Sequence, residues 1–259
     1  MKKPIMHNRL CAIASLALLL AATAPVRANL IAYEGFDHPA ATIGNMTGLS
    51  GGTDYPDYGW SGSWAHNYQT TDDPSGISAG STSWPGLVSH GNKLALFREI
   101  TRSLGQTVGG TNETVWCASM FYATHAKRSA AICFYSGTTK MLEVLSYRTT
   151  SNTGTIKLDA VDTGILAKVS QQFFLVRVDF SPAGNTAYLW VDPNLSSEPS
   201  IATANATKTY PANWTFNRVQ LVGSGGTQSC MFDEIRIGTT FKDVLKPIGP
   251  PEQTVVVIR

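Results

Sequence analysis

The chain has 259 residues, of which 43% are hydrophobic and only 15% charged, and its formal net charge is +2. A composition this apolar argues against a disordered tail. A charge this small, with no Lys/Arg stripe, argues against nucleic acid as a partner.

Residues 1–28 have the layout of a secretory signal peptide. Lys2, Lys3 and Arg9 give a basic start, Leu10 to Ala24 an apolar run, and Val26-Arg27-Ala28 the small-residue spacing that a signal peptidase reads. The apolar run is short of the ~20 residues a helix needs to cross a bilayer. The predicted mature chain starts near Asn29 and is exported, either released or held in the cell envelope (periplasm or outer surface), with no membrane span after cleavage. Four of the 20 basic residues lie within the signal and none of the 18 acidic ones, so the mature chain carries a net charge of −2. The remainder is long enough for one all-β domain with a proper core, assigned to 29–246. Residues 247–259 are Pro-rich at their start and read as a tail leaving the domain.

After the signal no window shows a useful helical period. Strand-length pieces recur instead, separated by Gly, Asn, Ser and Pro turns. In chain order they are "LIAYEGF", "KLALFREI", "TVWCASMFYAT", "AAICFYSG", "MLEVLSYR", "TIKLDAVD", "FFLVRVDFS", "TAYLWVDP", "FNRVQLVG" and "SCMFDEIRIG". Phe174, Val176, Val178 and Phe180 share one predicted face, and Phe173, Leu175, Arg177 and Asp179 the other. Asp233, Ile235 and Ile237 are likewise placed opposite Phe232, Glu234 and Arg236. One core face and one wetter face suit antiparallel sheets. "SPAGN" predicts a hairpin between the seventh and eighth pieces. Many short strands without intervening helices indicate an antiparallel β-sandwich or jelly roll, with a closed barrel as the other possibility. Residues 50–91 and 193–213 interrupt the rhythm as long irregular segments, the kind that carries function or mobility.

Three cysteines remain after the signal, so at most one internal disulfide forms. If "TVWCASMFYAT" and "SAAICFYSG" make a hairpin turning near His125, Cys117 faces Cys133 at bridging distance. The other reading is three reduced, buried thiols.

"DYPDYGWSGSW", residues 54–64, concentrates aromatic rings among small and acidic residues. Exposed Tyr and Trp hold sugars by stacking on the apolar ring face, while Asn, Asp and Ser bond the hydroxyls. Trp60 and Trp64 are four apart, on one face with Gly62 between them, which suits plugs against a sheet. Tyr55, Tyr58 and Trp84, with Asp57 and Asn67 alongside, are the ligand-binding candidates.

The start "LIAYEGFD", the Gly59 to Trp64 segment, "LVRVDF", "LWVDP" and the closing "FDEIRIGTT" resemble, in that order, the secreted LamG-like (concanavalin A-like) jelly-roll proteins of Planctomycetes and Verrucomicrobia. The resemblance spans nearly the whole mature chain. It implies two packed antiparallel sheets with the first and last strands side by side. Such proteins often end in a Pro-Glu-Pro sorting tail, whereas this chain has "PPEQTVVVIR".

No pair of carboxylates has the one-strand spacing that glycosidases of this architecture use, and neither a lyase motif nor a nucleophile elbow occurs. Glu34, Asp37 and Asp233 would approach one another if the first and last strands pair, and hard oxygen ligands of this kind suit Ca²⁺. The alternative is turn capping by the aspartates, with Glu34 solvated or paired to Arg236. The sequence thus predicts a secreted, non-catalytic domain that recognises extracellular carbohydrate or a surface protein. A polysaccharide-degrading enzyme and a structural envelope or matrix component are the other readings.

Overall fold

The computed structural model describes residues 30–42, 47–51, 58–66, 74–149, 153–223 and 229–246. Its strands are β1 (Leu30–Glu34), β2 (Ala41–Thr42), β3 (Trp60–His66), β4 (Gly76–Ser78), β5 (Lys93–Leu96), β6 (Glu99–Val108), β7 (Thr114–Ala123) and β8 (Ser129–Ser136). They continue with β9 (Thr139–Tyr147), β10 (Thr155–Leu158), β11 (Val161–Leu166), β12 (Phe173–Asp179), β13 (Asn185–Val191), β14 (Ala206–Tyr210), β15 (Phe216–Gly223) and β16 (Cys230–Gly238). One short helix, α1 (Phe241–Leu245), follows β16. Thr240 caps it with a reciprocal pair of bonds to Asp243.

These strands form two antiparallel sheets. The larger runs β14-β13-β12-β7-β16-β5-β4-β2, with β1 also paired to β16; the smaller runs β11-β10-β9-β8-β15-β6-β3. Tyr33 lies opposite Arg236 and Glu34 opposite Ile235, so the first and last strands sit side by side, as the resemblance implied. The predicted hairpin is present, with Phe174 opposite Val191 and Asp179 opposite Thr186.

Alternation along the strands fills the space between the sheets. Phe121, Phe174 and Phe232 stack there, with ring centroids 4.0 and 5.6 Å apart, against Phe134, Phe216 and Val219 of the smaller sheet. The opposite face of β12 is not simply wet. Phe173 and Leu175 join Trp116, Met120 and Trp190 in a second apolar layer on the outside of the larger sheet, covered by Leu87, Leu195, Phe241 and Val244. Only the far end of that face is polar, where Arg177 Nε pairs with Asp179 at 2.7 Å.

Two sequence expectations are corrected. First, "TVWCASMFYAT" and "SAAICFYSG" do not form a hairpin. β7 pairs with β12 and β16, whereas β8 pairs with β9 and β15 in the other sheet. The chain crosses between layers after Ala123, so Cys117 does not oppose Cys133 in one sheet; neither is in a disulfide, and both are buried, as is Cys230. Second, β16 does not alternate strictly. Its register with β7 shifts between Asp233 and Arg236, and Glu234 adopts a left-handed φ of 53°. This bulge inverts the parity, so Phe232 shares the main core with Ile235 and Ile237.

Candidate functional site

The buried carboxylates are the natural first place to look for chemistry, and they prove to be fasteners. Glu34 leaves β1 with Oε2 accepting from Arg102 Nη1 at 2.7 Å and from Trp64 Nε1 at 2.8 Å, while Oε1 accepts from the Phe36 backbone N–H. Its cation is therefore Arg102 rather than Arg236. Asp233 Oδ2 accepts from the Ser81 hydroxyl, the Thr82 hydroxyl and the Thr82 N–H at 2.6–2.7 Å. Glu234 Oε1 accepts from the His90 N–H at 2.6 Å, and its Oε2 takes Nε and Nη2 of Arg236 at 3.0 and 2.6 Å. The bulge at Glu234 thus lets two adjacent acids grip the same loop, residues 81–90. Burial, then the neighbouring Glu234 charge, pushes the Asp233 carboxyl up to about 8, against the Thr82 and Ser81 bonds that lower it. Burial likewise raises Glu234, opposed by Arg236.

The sequence grouped Glu34, Asp37 and Asp233 as a calcium candidate. The structure spends Glu34 and Asp233 on separate sets of protein donors and buries Asp37 beyond β1. Among the described residues no three His, Cys, Asp or Glu side chains come together as a group able to hold a metal.

The aromatic segment divides as its spacing suggested. Trp64 is fully buried, and Trp60 packs against it with centroids 5.6 Å apart and Nε1 donating to the Tyr33 carbonyl. Tyr58 behaves differently. Its backbone is tied to β1 by two bonds, Tyr33 N–H to the Tyr58 carbonyl at 2.9 Å and Tyr58 N–H to the Tyr33 carbonyl at 3.1 Å. The next residue accepts from the Gly105 N–H at 2.8 Å. Only glycine fits at 59: its φ is +76°, and a Cβ there would lie 1.7 Å from the Ile31 carbonyl oxygen. Yet Tyr58 is 57% exposed. An open ring thus stands on a backbone fixed from both sides. Trp84 is spent elsewhere, stacked on Phe173 at 5.8 Å over the second apolar layer. Tyr55, Asp57 and Asn67 lie outside the described residues.

Tyr58 borders a cleft of about 810 Å³ at the end of the sandwich where β6 hands over to β7. The start of β1 and Thr239–Thr240 form one part of its wall; Gln106, Thr107, Asn112 and Glu113 form another. The connection is a tight turn. Asn112 has φ 64°, its N–H bonds the Phe180 carbonyl, and the Phe180 N–H bonds that of Glu113. The side chains of Gln106, Thr107, Asn112 and Glu113 make no hydrogen bond or ion pair within the described residues. A rigid backbone therefore presents unspent amide, hydroxyl and carboxylate groups beside an exposed ring. This volume is typical of small-ligand clefts.

Two other polar surfaces pair most of their charged groups internally. A cleft of about 630 Å³ between β9, β10 and β14 holds Asp159, but its Oδ2 already accepts from Lys208 Nζ at 2.8 Å and the Tyr210 hydroxyl at 2.5 Å. Lys140 there pairs with Glu143 at 3.0 Å. On the outer face of the smaller sheet, Tyr135 donates to Gln220, which donates to Glu99. Of the ligand-binding candidates named from the sequence, Tyr58 lines this cleft; Gln106, Asn112 and Glu113, which also line it, were not among them. "GQTVGGTNET" shows the turn, but nothing local says that it faces Tyr58 from about fifty residues away.

No protein-family model matches the sequence, and no curated protein matches it. Solved structures do resemble it. The globular domain of T. cruzi calreticulin is 11% identical, over 84% of this chain and 90% of that one, with a TM-score of 0.49. An endo-1,3-beta-glucanase from Streptomyces sioyaensis is 9% identical over 83% and 97%, TM-score 0.47. The carbohydrate recognition domain of Emp46p is 7% identical over 58% and 84%, TM-score 0.37. In architecture this chain is an antiparallel β-sandwich of two sheets. At such identities the likeness concerns shape alone.

Proposed function

We propose that this chain is a secreted carbohydrate-recognition domain whose ligand lies in the cleft beside Tyr58. The observation that carries the reading is the exposed Tyr58, held on a doubly anchored backbone and bordering a cleft lined also by unspent amides and hydroxyls. A sugar needs both parts: an apolar face for its C–H groups and polar groups for its hydroxyls. A backbone fixed before binding limits the ordering cost of forming the complex. Glu113 is the one carboxylate among the described lining residues, and glycoside hydrolysis by the usual route needs two; this favours recognition over cleavage. Among the described residues no helix is long and apolar enough to cross a membrane. Export rests on residues 1–28, and N-terminal sequencing of the mature protein is expected to start at Asn29.

Titration calorimetry against a panel of soluble oligosaccharides tests the site. Removing the ring should cost about 1.5–3 kcal/mol of apolar contact, so Tyr58→Ala is expected to weaken the best ligand roughly tenfold or more. Circular dichroism should be unchanged, because the side chain projects outward. Equal affinity of the variant would remove this cleft from the account, and release of shorter oligosaccharides would replace recognition by catalysis.

A further inference from the structure

We propose that the cleft beside Tyr58 selects glycans bearing free amines over uronate- or sulfate-bearing ones; this rests on the carbohydrate reading above. The argument is one of charge. Among the described lining residues Glu113 alone carries charge, and no Lys, Arg or His joins it. Its side chain is exposed, with no hydrogen bond or ion pair to other described residues. The other carboxylates discussed above have protein donors: Glu34 has Arg102, Asp233 has Ser81 and Thr82, Glu234 has Arg236, and Asp159 has Lys208. Glu113 therefore stands as an unmatched negative charge on the lining of the cleft that Tyr58 borders.

An amino sugar satisfies both features. Its ammonium group forms a charge-assisted hydrogen bond to the carboxylate, while the Tyr58 ring takes the apolar C–H face of the sugar. The amide and hydroxyl groups of Gln106, Thr107 and Asn112 remain for the sugar hydroxyls. An anionic sugar meets the reverse situation, a like charge with no described cation on the lining to offset it. The net charge of −2 expected after export acts in the same direction at longer range.

The test compares three oligosaccharides of equal length in mildly acidic buffer, where sugar amines are protonated: one of glucosamine, its N-acetylated counterpart and one of galacturonate. Calorimetry is run on the wild-type chain and on Glu113→Gln, an exposed substitution. The glucosamine oligomer is expected to bind the wild type about three- to tenfold more tightly than the N-acetylated one, with galacturonate weakest. Glu113→Gln is expected to abolish the first difference, and added salt to shrink it. Equal affinities for the amine and acetyl forms overturn the charge preference but leave the carbohydrate reading standing. A preference that survives Glu113→Gln, or galacturonate binding tightest, also overturns it. If none of the three binds, and no neutral glycan of the wider panel does, both readings fall together.

Discussion

Replacing Arg236 with alanine is expected to lower the unfolding free energy by about 3–5 kcal/mol. The guanidinium is wholly buried and donates to both Glu234, through Nε and Nη2, and the backbone, through Nη1 to the Lys246 carbonyl at 2.8 Å and Nη2 to that of Val88. It also lies 5.5 Å over the Tyr33 ring. Truncation leaves Glu234 buried without its guanidinium partner and takes a donor from three carbonyls, those of Val88, Val244 and Lys246. That buried, unpartnered carboxyl group, more than the lost attraction, sets the size of the effect. In a domain of this length it corresponds to a fall in Tm of roughly 10 °C. Urea denaturation followed by tryptophan fluorescence measures it directly. Arg236→Lys should recover only part of the loss, because a point charge cannot serve Glu234 and the carbonyls at once. A loss below about 1 kcal/mol for the alanine variant would show that other contacts hold residues 81–90 to β16.

The second large effect is on pH. Asp233 keeps its proton in the folded protein up to about pH 8, raised by burial and by the adjacent Glu234 charge. In the unfolded chain an aspartate loses its proton near ~3.9. Between these values the folded state holds more protons than the unfolded one, so stability falls as pH rises. The contribution is complete below about pH 4 and lost as pH passes through about 8, on the order of several kcal/mol in total. Wild-type Tm is therefore expected to drop between about pH 5 and about pH 9, and Asp233→Asn, neutral throughout, to flatten that slope. Groups remote from this pair are common to both proteins, so the difference between the two curves reports Asp233 together with the neighbouring Glu234. Parallel curves would contradict the assignment.

How legible this was from residues alone depends on the element. β7, β12, β13 and β15 announce themselves because they are strand-length runs rich in aromatic and β-branched apolar side chains. β14, "ATKTY", and β11, "VDTGIL", do not, since polar and small residues occupy much of both. β3 hides in a Gly/Ser run whose meaning lies in Trp60 and Trp64, and β6 in a polar stretch where the buried partner of Glu34 is an arginine. The missed bulge at Glu234 is of another kind. Alternation counts residues, and one left-handed residue shifts the count for everything after it. The Cys117–Cys133 pairing failed because strands consecutive in the chain were placed in one sheet, while this topology sends β7 and β8 to opposite layers. The cleft itself joins residues from β1, β6, the turn before β7 and the lead-in to α1, a juxtaposition that only the closed sandwich creates.

The most direct measurement is an amide chemical-shift titration of the isotopically labelled protein with a soluble oligosaccharide that binds it. Recognition beside Tyr58 predicts saturable shifts gathered on Tyr58, Gln106, Thr107, Asn112, Glu113 and Thr239, with the outer face of the smaller sheet silent. Shifts centred on Tyr135, Gln220 and Glu99, or on the Asp159 cleft, would place the ligand elsewhere and contradict this account.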